Sequence, residues 1–146
     1  MLISGKMSSC YDINVSCSNK NLNIGKKLKA LIVDDDRVVR MVHKGLLKKF
    51  GVETHEAKNG EEAVLAHRAG ACFDLILMDL DMPVMNGRQA TQELRDMDVV
   101  SLIVGVTSTG EEEKEAFMNA GLDYYYQKPL TVDVVRLLVE KFKDDA

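Results

Sequence analysis

The sequence predicts an α/β fold: a doubly wound parallel sheet of about five strands, with five helices distributed over its two faces. Three observations carry this. Short apolar runs lack the polar alternation of a half-exposed strand, so they suit strands covered on both sides. Between them, apolar residues recur at helical spacing. Turn and cap residues mark the boundaries, and strand and helix alternate, which favours right-handed crossovers and puts functional loops at the carboxyl ends of the strands.

The elements follow in chain order. Residues 1–26 are rich in Ser, Asn and Lys, with Tyr11 as their only aromatic residue. Such a segment buries too little to offset the entropy of ordering, so a flexible tail is expected over 1–26, ahead of one domain over 27–146. The run ALIV at 30–33 reads as the first strand, and Val39, Val42, Leu46 and Phe50 as the apolar stripe of the first helix. VETHEAK supplies a short second strand, and Asn59-Gly60 turns it into the helix EEAVLAHRAG. FDLILM at 73–78 is the third strand, and Asn86 in MPVMNG is placed to cap the helix that follows. After SLIVGV at 101–106, EEEKEAF from Glu111 reads as a charged helix face whose first carboxylates favour the helix start. YYY at 124–126 is the fifth strand, and Val135, Leu138 and Phe142 mark the last helix.

Composition narrows the function classes. A chain of 146 residues, 46% hydrophobic and without repeats, is of single-domain size. Its net charge of −4, with both signs interspersed, offers no basic stripe for nucleic acid and no cationic run for an anionic membrane. No apolar stretch reaches the roughly 18 residues of a spanning helix, and MLISGKMSSC is too short in its apolar part for a secretory signal. A monomer is expected, cytoplasmic and with the nucleus also open to it. Cys10, Cys17 and Cys72 are odd in number and lack metal-ligand spacing, so they are expected as unremarkable thiols of a reducing compartment.

The carboxyl edge of the sheet collects the chemistry. The first apolar run ends in Asp34-Asp35-Asp36, the third in Asp79-Leu80-Asp81, the fourth in Thr107-Ser108 and the fifth in Gln127-Lys128-Pro129. Adjacent carboxylates repel and hold their protons unless something positive offsets the charge. Oxygen ligands without His or Cys point to Mg2+, or Mn2+ as a similar hard ion. Asp36 is assigned to capping the first helix. For any single aspartate a cap or a solvated loop is the simpler reading, but that explanation does not cover four strand ends converging with complementary groups.

Together LIVDDD, LILMDLDMPVMNG, GVTS and YYYQKP resemble, over about residues 27–143, the receiver domain of two-component response regulators, a CheY-like family. The resemblance implies a flavodoxin-like sheet of order 2-1-3-4-5 and a phosphoryl group passed from a phosphohistidine to Asp79. It implies Asp35 and Asp79 as direct magnesium ligands, Asp34 acting through a water, and the backbone carbonyl of Asp81 completing the set. Thr107 and Lys128 would hold the phosphoryl oxygens. Pro129 matches the family's usual cis peptide, and Tyr125 matches the aromatic position that turns inward on switching, with Tyr124 and Tyr126 facing the other way. Elementary chemistry agrees: a carboxylate attacks an anionic phosphoryl group poorly unless cations neutralise it, so a metal and Lys128 must carry much of the catalysis. Drawing Thr107 toward the phosphate would shift its loop and free space for Tyr125.

The resemblance implies that Asp81 and Thr109, two residues beyond Asp79 and Thr107, flank the line along which water attacks the acyl phosphate. Both are compact and polar, so a labile phosphate is expected. His43, His55 and His67 recur every twelve residues but fall on a helix, a strand and another helix, so they are expected as surface or half-buried residues with no shared site. Met78, Met82 and Met85 are read as core and loop packing.

With FKDDA directly after the last helix, the expectation is a receiver without an output domain, similar to the short plant type-C response regulators. Its partner would be a histidine phosphotransfer protein. It would be no conventional enzyme but a signalling phosphoacceptor that catalyses its own phosphorylation and Mg-dependent dephosphorylation. It would act as a phosphate sink or negative regulator in a cytokinin-like pathway. A receiver fragment of a hybrid histidine kinase is the alternative. A haloacid-dehalogenase-like phosphatase is disfavoured, because Met82-Pro83 replaces the expected continuation, the motif sits on the third strand, and no length remains for a substrate cap.

Overall fold

The chain alternates strand and helix throughout: β1 (Lys29–Val33), α1 (Arg37–Lys48), β2 (Glu53–Ala57), α2 (Gly60–Arg68), β3 (Leu75–Met78), α3 (Gly87–Asp96), β4 (Leu102–Thr107), a 3-10 turn (Glu111–Glu113), α4 (Lys114–Asn119), β5 (Tyr124–Gln127) and α5 (Val132–Asp144). These elements belong to a computed structural model that describes residues 27–108 and 110–144. The tail expected over 1–26, with Cys10 and Cys17, and Thr109, expected as a tuning position, lie outside the described residues.

All strands pair in parallel, in the order β2-β1-β3-β4-β5. The expected doubly wound sheet with five α-helices is therefore present, and the chain reverses direction across it between β1 and β3. In register, Val33 sits beside Met78, and Met78 beside Gly105. The next residues along β1 and β3, Asp34 and Asp79, therefore leave the sheet side by side.

Strand alternation builds a core on each face. Leu31, Val33, Ile76, Met78 and Ile103 pack with Ala63, Ala90, Leu94 and Phe117 from α2, α3 and α4. Ala30, Ile32, Leu75, Leu77, Val104 and Val106 pack with Leu47 of α1 and Val135 and Leu138 of α5. The uninterrupted apolar runs read from sequence are apolar because both faces are covered.

Helix starts follow local chemistry. Asp36 accepts from the N–H groups of Val38 at 2.8 Å and Val39 at 3.4 Å, Asn59 accepts from Glu62, and Asn86 forms a reciprocal capping box with Gln89. The stripe read for α1 needs correction. Val39, Leu46 and Phe50 are half-buried, but Val42 is 46% exposed, and the residues fully inside are Arg40, His43 and Leu47. Val38, Met41 and Val42 thus form an exposed apolar strip.

Two histidines also differ from expectation. His43 and His67 are buried, and only His55 is open, paired with Glu53. Phe73 packs edge-on against both His55 and His67, while His67 Nδ1 is bonded to the Ala63 carbonyl. Cys72, expected as a plain thiol, is disulfide-bonded.

Candidate active site

Backbone pairing at the strand ends fixes the site before any side chain is considered. The Asp34 N–H donates to the Ala57 carbonyl at 3.1 Å, the Asp79 N–H to Val33 at 2.9 Å, and the Lys128 N–H to Thr107 at 2.8 Å. Asp34, Asp79 and Lys128 are therefore each the first residue past a hydrogen-bonded ladder, on a rigid scaffold rather than a free loop. Arg40 reinforces the first of these, its Nη1 donating to the Asp34 carbonyl at 2.8 Å while Nε binds Glu56 at 2.8 Å. The Lys128-Pro129 bond is cis.

Asp34, Asp79 and Thr107 are buried at the carboxyl edge, and Asp35 and Asp81 are exposed beside them. Lys128 Nζ lies 2.8 Å from Asp34 Oδ2 and 3.1 Å from Asp79 Oδ1, so one ammonium spans both buried carboxylates. The other Asp34 oxygen accepts the N–H of Asp36 at 2.8 Å. One cation cannot neutralise this much negative charge. Burial, and then the charge of Asp34, push the Asp79 carboxyl up to about 6 against the pull of Lys128. Burial works against the Lys128 ammonium, yet Asp34 and Asp79 hold its pKa above the ordinary lysine value.

The residual negative charge fits a hard cation. Asp34, Asp35 and Asp79 each offer a carboxylate oxygen, all within 4.8 Å of one another. An all-oxygen set, part buried and part open to water, suits Mg2+, which uses few carboxylates and keeps several waters.

The loop after Asp79 is held tightly. An added Cβ at Gly87 would collide with the Asp79 backbone carbonyl and crowd Phe117, so only glycine lets α3 start this close to the site. The Met85 N–H closes onto the Pro83 carbonyl at 2.7 Å across Val84, whose φ is +71°. This is a strained γ-turn geometry, rare for a β-branched residue. Val84 is 74% exposed.

On the other flank, the Tyr125 hydroxyl donates to the Gly110 carbonyl at 2.9 Å, three residues beyond Thr107, and its ring packs edge-on against Phe117. Tyr124 and Tyr126 stack on the opposite face of the sheet. The structure thus gathers Asp34, Asp35, Asp79, Thr107 and Lys128 at one edge, with Asp81 on the adjoining loop and Tyr125 tied to the segment that follows Thr107. Sequence reasoning missed Arg40, Val84 and the close approach at Gly87. An arginine inside an otherwise apolar helical stretch was the one available signal.

Residues 30–140 match the response regulator receiver domain. Over 116 residues the chain is 53% identical to the two-component response regulator ARR22 of Arabidopsis thaliana, covering 77% of this chain and 82% of that one. It is 40% identical over 122 residues to ORR41 of Oryza sativa subsp. japonica, another two-component response regulator, covering 81% and 96%. Among solved structures it is similar to response regulator protein TrrA from Thermotoga maritima in complex with Mg(2+)-BeF, with a TM-score of 0.70, 29% identity, and coverage of 78% of this chain and 97% of that one.

Proposed function

The chain belongs to the response regulator receiver domain family, and from that premise we propose that Asp79 accepts a phosphoryl group from a phosphohistidine on a histidine phosphotransfer protein. The observation that carries this is the placing of Lys128 Nζ between Asp34 and Asp79, at 2.8 and 3.1 Å, beside a third carboxylate. Asp35 and Asp79, with the backbone carbonyl of Asp81 and with Asp34 acting through a water, would hold Mg2+. When bound, the ion supplies positive charge that lowers the repulsion between the carboxylates and an anionic phosphoryl group.

The chain's own residues do the rest. At neutral pH the Asp79 carboxylate is ionised, and one of its oxygens forms the new O–P bond while the P–N bond of the donor breaks. The departing imidazole keeps the electron pair and takes up a proton. Lys128 neutralises one phosphoryl oxygen as a point charge, and the Thr107 hydroxyl donates to another. Hydrolysis of the acyl phosphate, tuned in this reading by Asp81 and Thr109, releases inorganic phosphate and returns Asp79 to its carboxylate. Through the Gly110 carbonyl, movement of the Thr107 segment is passed to Tyr125, the switch residue of this reading.

The exposed strip of Val38, Met41 and Val42 supports the partner. It begins two residues after the Asp36 cap, on the helix that leads away from the sheet edge carrying Asp34, which suits a helical carrier of the phosphohistidine. In this reading the protein drains phosphate from the carrier and lowers flux through a cytokinin-like two-component pathway. Incubating a radiolabelled histidine phosphotransfer protein with this chain and Mg2+ tests it. Loss of label from the carrier with transient capture on Asp79 is expected. Durable capture would replace the sink by a messenger, and no transfer would refute the reading.

A further inference from the structure

The inner face of α1 holds both halves of the Lys128–Asp34 pair. Arg40 binds the Asp34 backbone carbonyl at 2.8 Å. One turn on, His43 Nε2 accepts the N–H of Leu130 at 3.4 Å, a buried bond between residues 87 apart in sequence. Lys128 is thus anchored twice: through its own N–H to Thr107 on β4, and two residues later through Leu130 to α1. His43 is 2% exposed and Leu130 4%, so no water is at hand to replace this acceptor.

We propose that His43 is a positioning residue for phosphoryl transfer, a neutral imidazole whose Nε2 holds the Leu130 N–H and so keeps the Lys128 ammonium over Asp79. This deepens the reading of Asp79 as phosphoacceptor and rests on it. Accepting at Nε2 requires the ring proton to be on Nδ1 and the ring to be uncharged. Burial keeps the His43 pKa low, Lys128 acts in the same sense, and Asp34 opposes them. A histidine that merely filled space would tolerate an apolar residue of similar volume. One that sets the lysine would not, because small misplacements of a charged group cost large factors in rate.

The test follows phosphorylation of Asp79 by acetyl phosphate and Mg2+ in wild type, His43→Leu and His43→Gln, each with and without Lys128→Ala. With Lys128 present, His43→Leu is expected to slow labelling about tenfold, and His43→Gln, which restores an acceptor, to recover most of it. In the Lys128→Ala background His43→Leu should cost nothing further. Equal losses in both backgrounds, or a His43→Leu protein as fast as wild type, would overturn the proposal. If His43→Leu does not fold, nuclear magnetic resonance on the wild type decides. The Nδ1–H tautomer at neutral pH and a slowly exchanging Leu130 amide are expected, and an Nε2–H tautomer or rapid exchange would overturn it. Absence of label on wild-type Asp79 would instead refute the phosphoacceptor reading, and the role of His43 with it.

Discussion

Replacing Asp79 by Asn should make the metal-free protein more stable, although it removes a buried ion-pair partner. The Asp79 carboxyl is raised from 3.8 to about 6, chiefly by burial and by Asp34. A carboxyl whose folded pKa lies above its unfolded value is harder to ionise in the fold than in the open chain. Its ionisation therefore destabilises. The penalty is absent below pH about 4, grows as pH rises through the window between 3.8 and about 6, and is complete above it. At about 1.4 kcal/mol per pH unit, the full effect is about 3 kcal/mol, and Asn, a neutral mimic of the protonated side chain, escapes it. With a urea slope of about 2 kcal/mol/M the unfolding midpoint of Asp79→Asn should lie about 1.5 M above wild type at pH 7.5 in chelator. The two proteins should converge by pH 4. Equal stability at pH 7.5, or a gap that persists unchanged at pH 4, would refute the charge balance derived for this site.

Other expected outcomes follow from the same geometry. Lys128→Ala leaves Asp34 and Asp79 without their shared ammonium and should slow labelling by acetyl phosphate about 10²- to 10³-fold, read from initial rates. Val84→Gly relieves a left-handed valine that is 74% exposed; relief of about 1–2 kcal/mol less the extra chain entropy of glycine should leave a gain of about 0.5–1 kcal/mol in urea unfolding. Gly87→Ala forces a Cβ into the Asp79 carbonyl, so it should cost at least about 2 kcal/mol and depress labelling, a combination visible in parallel unfolding and phosphorylation assays.

Much of the fold was legible because the parallel sheet imposes a strong local signature. ALIV, FDLILM and SLIVGV are apolar at consecutive positions because two helical layers cover them, and Asp36, Asn59 and Asn86 mark helix starts through hydrogen bonds within three residues. The site was legible for a related reason, since Asp34, Asp79 and Thr107 each immediately follow such a run. What periodicity could not supply was the rotation of α1. Its buried face is set by two polar residues with distant partners, Arg40 with Asp34 and Glu56 and His43 with Leu130. A stripe counted from Val39 and Val42 therefore points partly to the wrong side. The strain at Val84 and the contact at Gly87 escaped for a similar reason, because both depend on how closely the loop after Asp79 passes the rest of the fold.

The account rests on Asp79 as the group that becomes phosphorylated with help from Lys128 and a divalent cation. Treating the intact protein with acetyl phosphate and Mg2+, trapping any acyl phosphate by borohydride reduction and mapping the product by peptide mass spectrometry measures this directly. Modification at Asp79, abolished by chelator and by Asp79→Asn, is the expected result. A folded protein that stays unmodified there, or is labelled at another residue, would contradict it.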